Sequence, residues 1–464
     1  MVFSSITFLF VFFPLFLFAY ALLPWRNFVA LIFSLIFYAW GEGLYVGLLL
    51  ATVFVNYIFG LIICRGQWRK QSLILGVSAN LLLLGYFKYY GFVVADILGL
   101  NIAIDDFPHL PLGISFFIFQ SISYLVDIYR GDARGARSFA DLALYIAMFP
   151  QLIAGPIVRY ASVAEAIQQR YVSFDGVSKG IAIFILGLSY KVLISNNVAE
   201  MADASFGTPL DQVDVVVAWV GALAYTLQIY FDFAGYSLMA IGIGKMMGFE
   251  FPENFNYPYI ATSITDFWRR WHMSLSSWFR DYLYIPLGGN QKGVVRTYIN
   301  LFAVFFLCGL WHGAAWTYVA WGMFHGFVLV IERAGLKKVL DKLPNPLSLT
   351  YTLLLVVIGW VLFRAESFEQ ARVFLAAMFG LGSDVITPIW SLITNENLTY
   401  FIIGAILSMP FLPWCGRKLL LLSWIESRGI IFYSASSLLC ASLFLVCAMY
   451  IMAGTYNPFI YFRF

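Results

Sequence analysis

The chain has 464 residues, of which 61% are hydrophobic and 11% charged, and its mean hydropathy is +0.82. Soluble domains carry about a quarter charged residues, so a water-soluble globular protein is excluded and a polytopic membrane protein is expected. The net charge of +3 calls for no nucleic-acid partner, because basic residues beside membrane spans have a topological role first. The five cysteines, Cys64, Cys308, Cys415, Cys440 and Cys447, show no CxxC or Cys/His metal spacing. They read as small apolar helix residues, and no metal site is expected.

A helical crossing needs about 20 apolar residues. In chain order, spans are predicted near 5–23, 27–40, 44–64, 72–90, 111–129, 178–198, 213–233, 298–311, 314–332, 348–364, 398–414 and 430–453. The opening Met1-Val-Phe-Ser-Ser lacks a basic region and no Ala-x-Ala site follows, so the first span is read as retained rather than as a cleaved signal. Several spans are short for a full crossing and read as tilted, fused or incomplete. Residues 139–160 contain Phe149-Pro-Gln-Leu-Ile-Ala-Gly-Pro156. Two prolines and a glycine break that helix, and a re-entrant hairpin is expected. Such backbone survives at membrane depth only where protein or a water-filled cavity covers it. There is no internal repeat, low-complexity segment or soluble domain. The fold class is therefore all-α: a polytopic helical membrane protein forming a single integral domain over residues 1–464, with about 11–12 spans.

Basic residues set the orientation. Arg65, Arg69 and Lys70 follow the third span, and Arg130, Arg134 and Arg137 the fifth. Arg269, Arg270, Arg280, Lys292 and Arg296 precede the eighth. Arg333, Lys337, Lys338 and Lys342 follow the ninth, and Arg417, Lys418 and Arg428 the eleventh. The alternate segments 96–110, 199–212 and 373–397 contain no Lys or Arg. The positive-inside rule puts the basic set in the cytoplasm and both termini outside. Lys88, Arg364 and Arg372 run mildly against the pattern.

Within this frame His312 stands out. It interrupts the apolar run Cys308-Gly-Leu-Trp-His-Gly-Ala-Ala-Trp316 at the joint between the eighth and ninth spans. Fourteen residues from Tyr298, at 1.5 Å each, carry it about 21 Å inward from the cytoplasmic side. An ionisable group at that depth is a candidate functional residue, and a neutral imidazole is suited to moving a proton. The other reading is a histidine satisfied by a hydrogen bond in a helix bundle. His325 lies thirteen residues further on and reads as structural or as a polar group lining a tunnel. His109, beside Asp105 and Asp106, reads as solvated.

The loop before the eighth span holds a second cluster, in which Asp266, Arg269, Arg270 and His272 are interleaved with Trp268 and Trp271. On one helix Trp268, Trp271, Leu275 and Trp278 would share a face. Arg269, Arg270 and Arg280 suit an anionic group, since guanidinium forks match phosphates. An interfacial helix with an aromatic belt and positive-inside arginines fits equally well. Leu287-Gly-Gly289 is too short for a phosphate cradle and reads as a turn. No GxSxG elbow or Ser/His/Asp order is present.

Trp268-Arg-Arg-Trp-His272, Asp281-Tyr-Leu-Tyr-Ile-Pro-Leu-Gly-Gly-Asn290 and Trp311-His-Gly313 resemble the membrane-bound O-acyltransferases (MBOAT), and in particular their bacterial alginate O-acetyltransferase branch. Met1-Val-Phe-Ser-Ser5, Phe37-Tyr-Ala-Trp40, Pro111-Leu-Gly-Ile-Ser-Phe116, Phe149 to Pro156, Val361-Leu-Phe-Arg-Ala365 and Asn457-Pro-Phe-Ile-Tyr-Phe-Arg-Phe464 resemble that branch as well. The resemblance implies an MBOAT-like bundle with a central tunnel, a catalytic histidine at His312 and a second polar position at His272. It also implies export of acyl groups from a cytosolic thioester, with acetyl-CoA as donor substrate and no bound cofactor. An extracytoplasmic polysaccharide acetyltransferase is the implied partner, and the implied location is the bacterial inner membrane.

On this reading His312 is the base, His272 orients the donor or polarises its carbonyl, and Arg269, Arg270 and Arg280, with Trp268 and Trp271, receive the donor. The leading function is O-acetylation of an exported polysaccharide such as alginate. Peptidoglycan O-acetylation and teichoic acid D-alanylation are the enzymatic alternatives. A transporter is the non-enzymatic one, disfavoured by the lack of repeats. In the outer segment, Phe368, Ala371, Phe374, Leu375 and Met378 repeat at helical spacing over 367–380. That stretch, or the 199–212 loop, is the expected docking place of the external transferase.

Overall fold

A backbone in an apolar medium must satisfy its own N–H and C=O groups, and a helix does so within one segment. The computed structural model describes residues 1–100, 107–153, 155–411 and 429–454, and every regular element among them is helical. The first helices are α1 (Phe8–Leu22), α2 (Arg26–Glu42), α3 (Tyr45–Cys64), α4 (Arg69–Tyr89) and α5 (Ile114–Arg130). Next come α6 (Phe139–Ala147), the single turn α7 (Phe149–Leu152), α8 (Tyr160–Gln168), α9 (Phe174–Phe206) and α10 (Val215–Met247). The chain continues through α11 (Ile264–Arg270), α12 (Met273–Phe279), α13 (Val294–His312), α14 (Trp316–Leu340) and α15 (Asn345–Arg364). It then forms α16 (Phe368–Met378), α17 (Asn395–Leu407) and α18 (Gly429–Met452). Eight of these segments are long and apolar enough to cross a membrane on their own, so the protein is a multi-pass membrane protein. The expectations for Asp105, Asp106, Cys415, Arg417, Lys418, Arg428 and residues 457–464, and the position of Ala154, lie outside the described residues.

Within the described residues the predicted spans fall on helices, with informative differences. α9 and α10 run for 33 residues each, well beyond the predicted 178–198 and 213–233. Polar residues that end a lipid-facing span do not end these helices, because the protein satisfies them. Asp203 on α9, for example, pairs with Arg364 on α15 at 2.7 Å. The predicted break in 139–160 falls at Met148, whose backbone, at φ −54° and ψ 113°, is not helical. There Ser34 Oγ accepts the Phe149 N–H at 3.1 Å and donates to the Ala30 carbonyl at 2.7 Å. Leu287-Gly-Gly289 is a turn, closed by the Gly289 N–H on the Tyr284 carbonyl. His109 is exposed as expected, but it also meets Glu42 at 3.2 Å.

The chain divides into two compact units, Met1–Phe184 with Tyr236–Glu253, and Ile185–Gly235 with Asn254–Phe464. The first unit is cored by phenylalanines. Phe8, Phe12, Phe16 and Phe37 surround Phe149 at ring separations of 5.1 to 6.2 Å. Arg170 fastens its helix ends, donating to the Tyr20 hydroxyl, the Asn27 amide oxygen and the Met247 carbonyl. Asn56 and Asn80 exchange amide hydrogen bonds between α3 and α4, the polar adhesive expected where the surroundings are as apolar as the contact.

In the second unit, Lys191 on α9 and Asp232 on α10 form an ion pair of 2.6 Å with side chains only 2% and 1% exposed. Breaking one half of such a pair costs about 3–5 kcal/mol, so it fixes the two helices against each other. α13 and α14 form a tight hairpin. A Cβ at Gly322 would strike the Phe305 carbonyl and one at Gly309 the Tyr318 carbonyl, so glycine at these positions lets the backbones touch. That close approach positions the end of α13, where His312 lies.

Candidate active site

His272 and His312 reach the second unit's interior by different local devices. α11 begins at Ser263, whose hydroxyl accepts the Asp266 N–H at 3.0 Å. Its first N–H groups are taken by a buried carboxylate from α14: Glu332 accepts from Ile264 N–H at 2.7 Å, Thr265 N–H at 2.9 Å and the Thr265 hydroxyl at 2.6 Å. A carboxylate at a helix N-terminus is favoured by both the orphan donors and the dipole.

The helix then stops. Trp271 is extended and His272 is left-handed, with φ 44° and ψ 54°. A single helix carrying Trp268, Trp271, Leu275 and Trp278 on one face is therefore not what forms. The cause is backbone competition from upstream. The Asn256 N–H donates to the Arg270 carbonyl and the Met273 N–H to the Asn254 carbonyl, both at 2.9 Å, so the strand-like segment 254–256 replaces the helical bonds lost at the turn.

His272 is fully buried. Its Nδ1 lies 3.0 Å from Asn254 Oδ1, and its ring meets Phe233 edge-on at 4.5 Å. Burial first, and the charge of His312 second, hold this imidazole well below its ordinary pKa, so it is neutral. His312 is the last residue of α13, and Gly313 turns the chain out of the helix. It is 5% exposed and walled by aromatic rings: Trp311 at 5.0 Å, Trp321 at 5.1 Å and Phe363 at 5.2 Å. Trp311 is shared with His272 at 6.2 Å.

Trp321 carries the wall onward to His325, at 5.1 Å, and Trp268 meets both, at 5.7 Å from Trp321 and 5.3 Å from His325. His325 is thus part of the same cluster. Its Nε2 lies where a Cβ at position 359 would come within 2.8 Å, so Gly359 makes room for it. Trp271 supports the wall from behind, against Phe267 and Trp360.

The structure brings His272, His312, Trp268 and the unassigned His325 together. It does not draw the arginines into that cluster. Arg270 pairs with Asp266 at 3.0 Å and Arg280 with Asp281 at 2.6 Å. Arg269 is exposed and forms no ion pair among the described residues. Among the described residues no group of His, Cys, Asp and Glu is placed to hold a metal ion. Sequence reasoning missed Asn254 and Glu332. Glu332 had a signal, a carboxylate directly after the apolar run Trp316 to Ile331. Asn254 had none beyond its polarity.

Buried histidines in an aromatic cage, carried by an all-helical membrane bundle, suit proton transfer. The profile of the membrane-bound O-acyltransferase family matches residues 113–341. The chain is 48% identical over 397 residues to the "probable alginate O-acetylase" of Azotobacter vinelandii, covering 82% of this chain and 79% of that one. To the protein of the same description in Pseudomonas aeruginosa it is 46% identical over 423 residues, covering 88% and 79%. To the peptidoglycan O-acetyltransferase of Helicobacter pylori it is 38% identical over 383 residues, covering 75% and 72%. The chain belongs to the membrane-bound O-acyltransferase family and is an O-acyltransferase.

Removing the Glu332 carboxylate leaves buried N–H groups at the start of α11 without acceptors, at about 1–3 kcal/mol each. Glu332→Ala is expected to lower the thermal midpoint in detergent and to expose the 263–273 segment to protease, with Glu332→Gln milder. An unchanged midpoint and cleavage pattern in Glu332→Ala would remove Glu332 from this anchoring role.

Proposed function

We propose that this protein moves acetyl groups from cytosolic acetyl-CoA, across the bacterial cytoplasmic membrane, for O-acetylation of an exported polysaccharide of the alginate type. The observation that carries the reading is the pairing of two buried histidines, His272 and His312, in one aromatic cage. The substrate class follows the alginate O-acetylases, to which identity is higher than to the peptidoglycan enzyme.

His312 takes the proton of the acceptor hydroxyl as the oxygen attacks the thioester carbonyl. The tetrahedral intermediate expels the thiolate, and the proton on the imidazole passes to that sulfur, releasing coenzyme A as thiol and leaving the acetyl ester. His272 orients the donor. The rings around both histidines keep water from the thioester, which would otherwise be hydrolysed. Arg269, exposed and in no ion pair among the described residues, is the arginine of the three best placed to receive donor phosphates. Arg270 and Arg280, with their charges already balanced, assist less. Trp268 and Trp271 shape the cage from which the thioester end is held.

In membranes supplied with radiolabelled acetyl-CoA, His312→Ala is expected to lose at least about 100-fold in acetyl transfer at wild-type protein levels. His272→Ala is expected to fall strongly and retain a residue of activity. Near-wild-type transfer by folded His312→Ala would sink the assignment. In the same assay Arg269→Glu is expected to raise the donor KM with little change in folding. An unchanged donor KM would return Arg269 to its topological role.

An acyl group delivered outward needs a receiver, and we assign that part to an extracytoplasmic acetyltransferase docking near residues 379–391. This segment follows α16, whose Phe374 stacks on Phe206 at 4.3 Å. It is tied down by the Ser383 N–H on the Val213 carbonyl and the Thr387 N–H on Asp214. It exposes Leu381, Val385, Ile386 and Trp390. Cysteines placed at Asp384 and Trp390 are expected to cross-link to an external protein of the envelope. Acetylation that persists after the segment is replaced, with no cross-link, would remove the assignment.

A further inference from the structure

We propose that Asn254 is a positioning residue that holds the proton of His272 on Nδ1, so that Nε2 faces the reacting groups as a hydrogen-bond acceptor. The inference rests on the reading above, in which His272 takes part in acyl transfer, and it deepens the role given there.

The argument starts from a donor whose chemistry is fixed. The backbone N–H of Ser274 can only donate, and the Asn254 side-chain atom it meets at 3.2 Å must be an acceptor. That settles which way the amide is turned, an assignment that side-chain shape alone leaves open. The same oxygen accepts the Ser274 hydroxyl at 2.8 Å. It also lies 3.0 Å from His272 Nδ1. A carbonyl oxygen has no proton to give, so Nδ1 carries one. A neutral imidazole has a single N–H, and Nε2 is left with its lone pair. Nε2 is buried and meets no hydrogen-bond partner within the protein among the described residues. Buried polar atoms are rarely left so, and an atom in this state beside His312 is a place for substrate.

The Asn254 backbone serves the same end. Its carbonyl accepts the Met273 N–H at 2.9 Å, so main chain and side chain of one residue clamp both sides of the left-handed turn that aims His272. A neutral His272 therefore cannot polarise the thioester carbonyl by donating through Nε2. It accepts instead, from an amide N–H of the donor's arm or from the acceptor hydroxyl. The chemistry is that of a second base or an anchor for an N–H group.

The charged surroundings are simple. His312 comes from α13. Asp266 and Arg270, on α11, are engaged with each other, and Asp232, next to Phe233 on α10, is engaged with Lys191. The rings against His272, Phe233 and Trp311, are uncharged.

The test uses the full-length protein in proteoliposomes with radiolabelled acetyl-CoA, scored for kcat, donor KM and pH profile. Asn254→Ala is expected to lower kcat about 10–100-fold, the range seen when an outer-shell partner that orients a metal-bound histidine is lost. Asn254→Asp keeps the acceptor oxygen, so kcat is expected to return to within about threefold of wild type. Its carboxylate favours the imidazolium of His272. The neutral form is then reached only at higher pH, and the acid limb of the profile moves up. Wild-type kcat in Asn254→Ala would overturn the proposal. So would an acid limb unmoved in Asn254→Asp, a result that decides the matter even where the alanine variant fails to fold. His272→Ala in the same assay separates the two layers. If it turns over at the wild-type rate, the reading of His272 fails. If it is impaired while both Asn254 variants behave as wild type, only this inference fails.

Discussion

A polar group in an apolar bundle has no water to fall back on, and each must find its partner inside the chain. That constraint decides where these helices stop as much as where the histidines sit. The turn at Trp271–His272 survives because residues 254–256 take over the backbone bonds that α11 gives up. The start of α11 survives because Glu332 arrives from α14 to accept its N–H groups. The single turn α7 begins on the hydroxyl of Ser34. In each case an irregular backbone is bought from a distant residue, and two of the three distant residues serve the segment that carries His272.

The same constraint sets what the sequence could reveal. Apolar runs bounded by charge gave α3, α4, α13 and α15 close to their observed limits, whereas α14 runs eight residues beyond the predicted end at 332. The ends of α9 and α10 were hidden, since their polar residues are satisfied by other helices rather than by water. His312 was conspicuous because nothing near it in the chain is polar. Asn254 was not, because its partner lies eighteen residues away in sequence and no periodicity links the two. The helical face drawn through Trp268, Trp271, Leu275 and Trp278 assumed an unbroken ladder. Only the pairing with 254–256 could have shown the break. Charge alone likewise overstated the arginines, two of which are balanced by a carboxylate at short range.

The tryptophans change meaning in the same way. In the sequence they fit an interfacial belt as well as a binding surface. In the fold Trp268, Trp311 and Trp321 stand edge to face with the imidazoles. Large rigid rings fill space around a titratable group without offering a competing hydroxyl or carboxylate, and edge-to-face contact fixes their orientation. The cage is in turn set by backbone contacts that only glycine allows, at Gly309 and Gly322 between α13 and α14 and at Gly359 against His325. Precision at the histidines therefore depends on residues with no side chain at all.

Crowding imidazoles into such a cage has an electrostatic consequence. A proton on one disfavours a proton on its neighbour, and the field of His312 acts on His272 in that direction. In the proposed reaction a single proton suffices, because the proton leaving the acceptor hydroxyl is the one the departing thiolate needs.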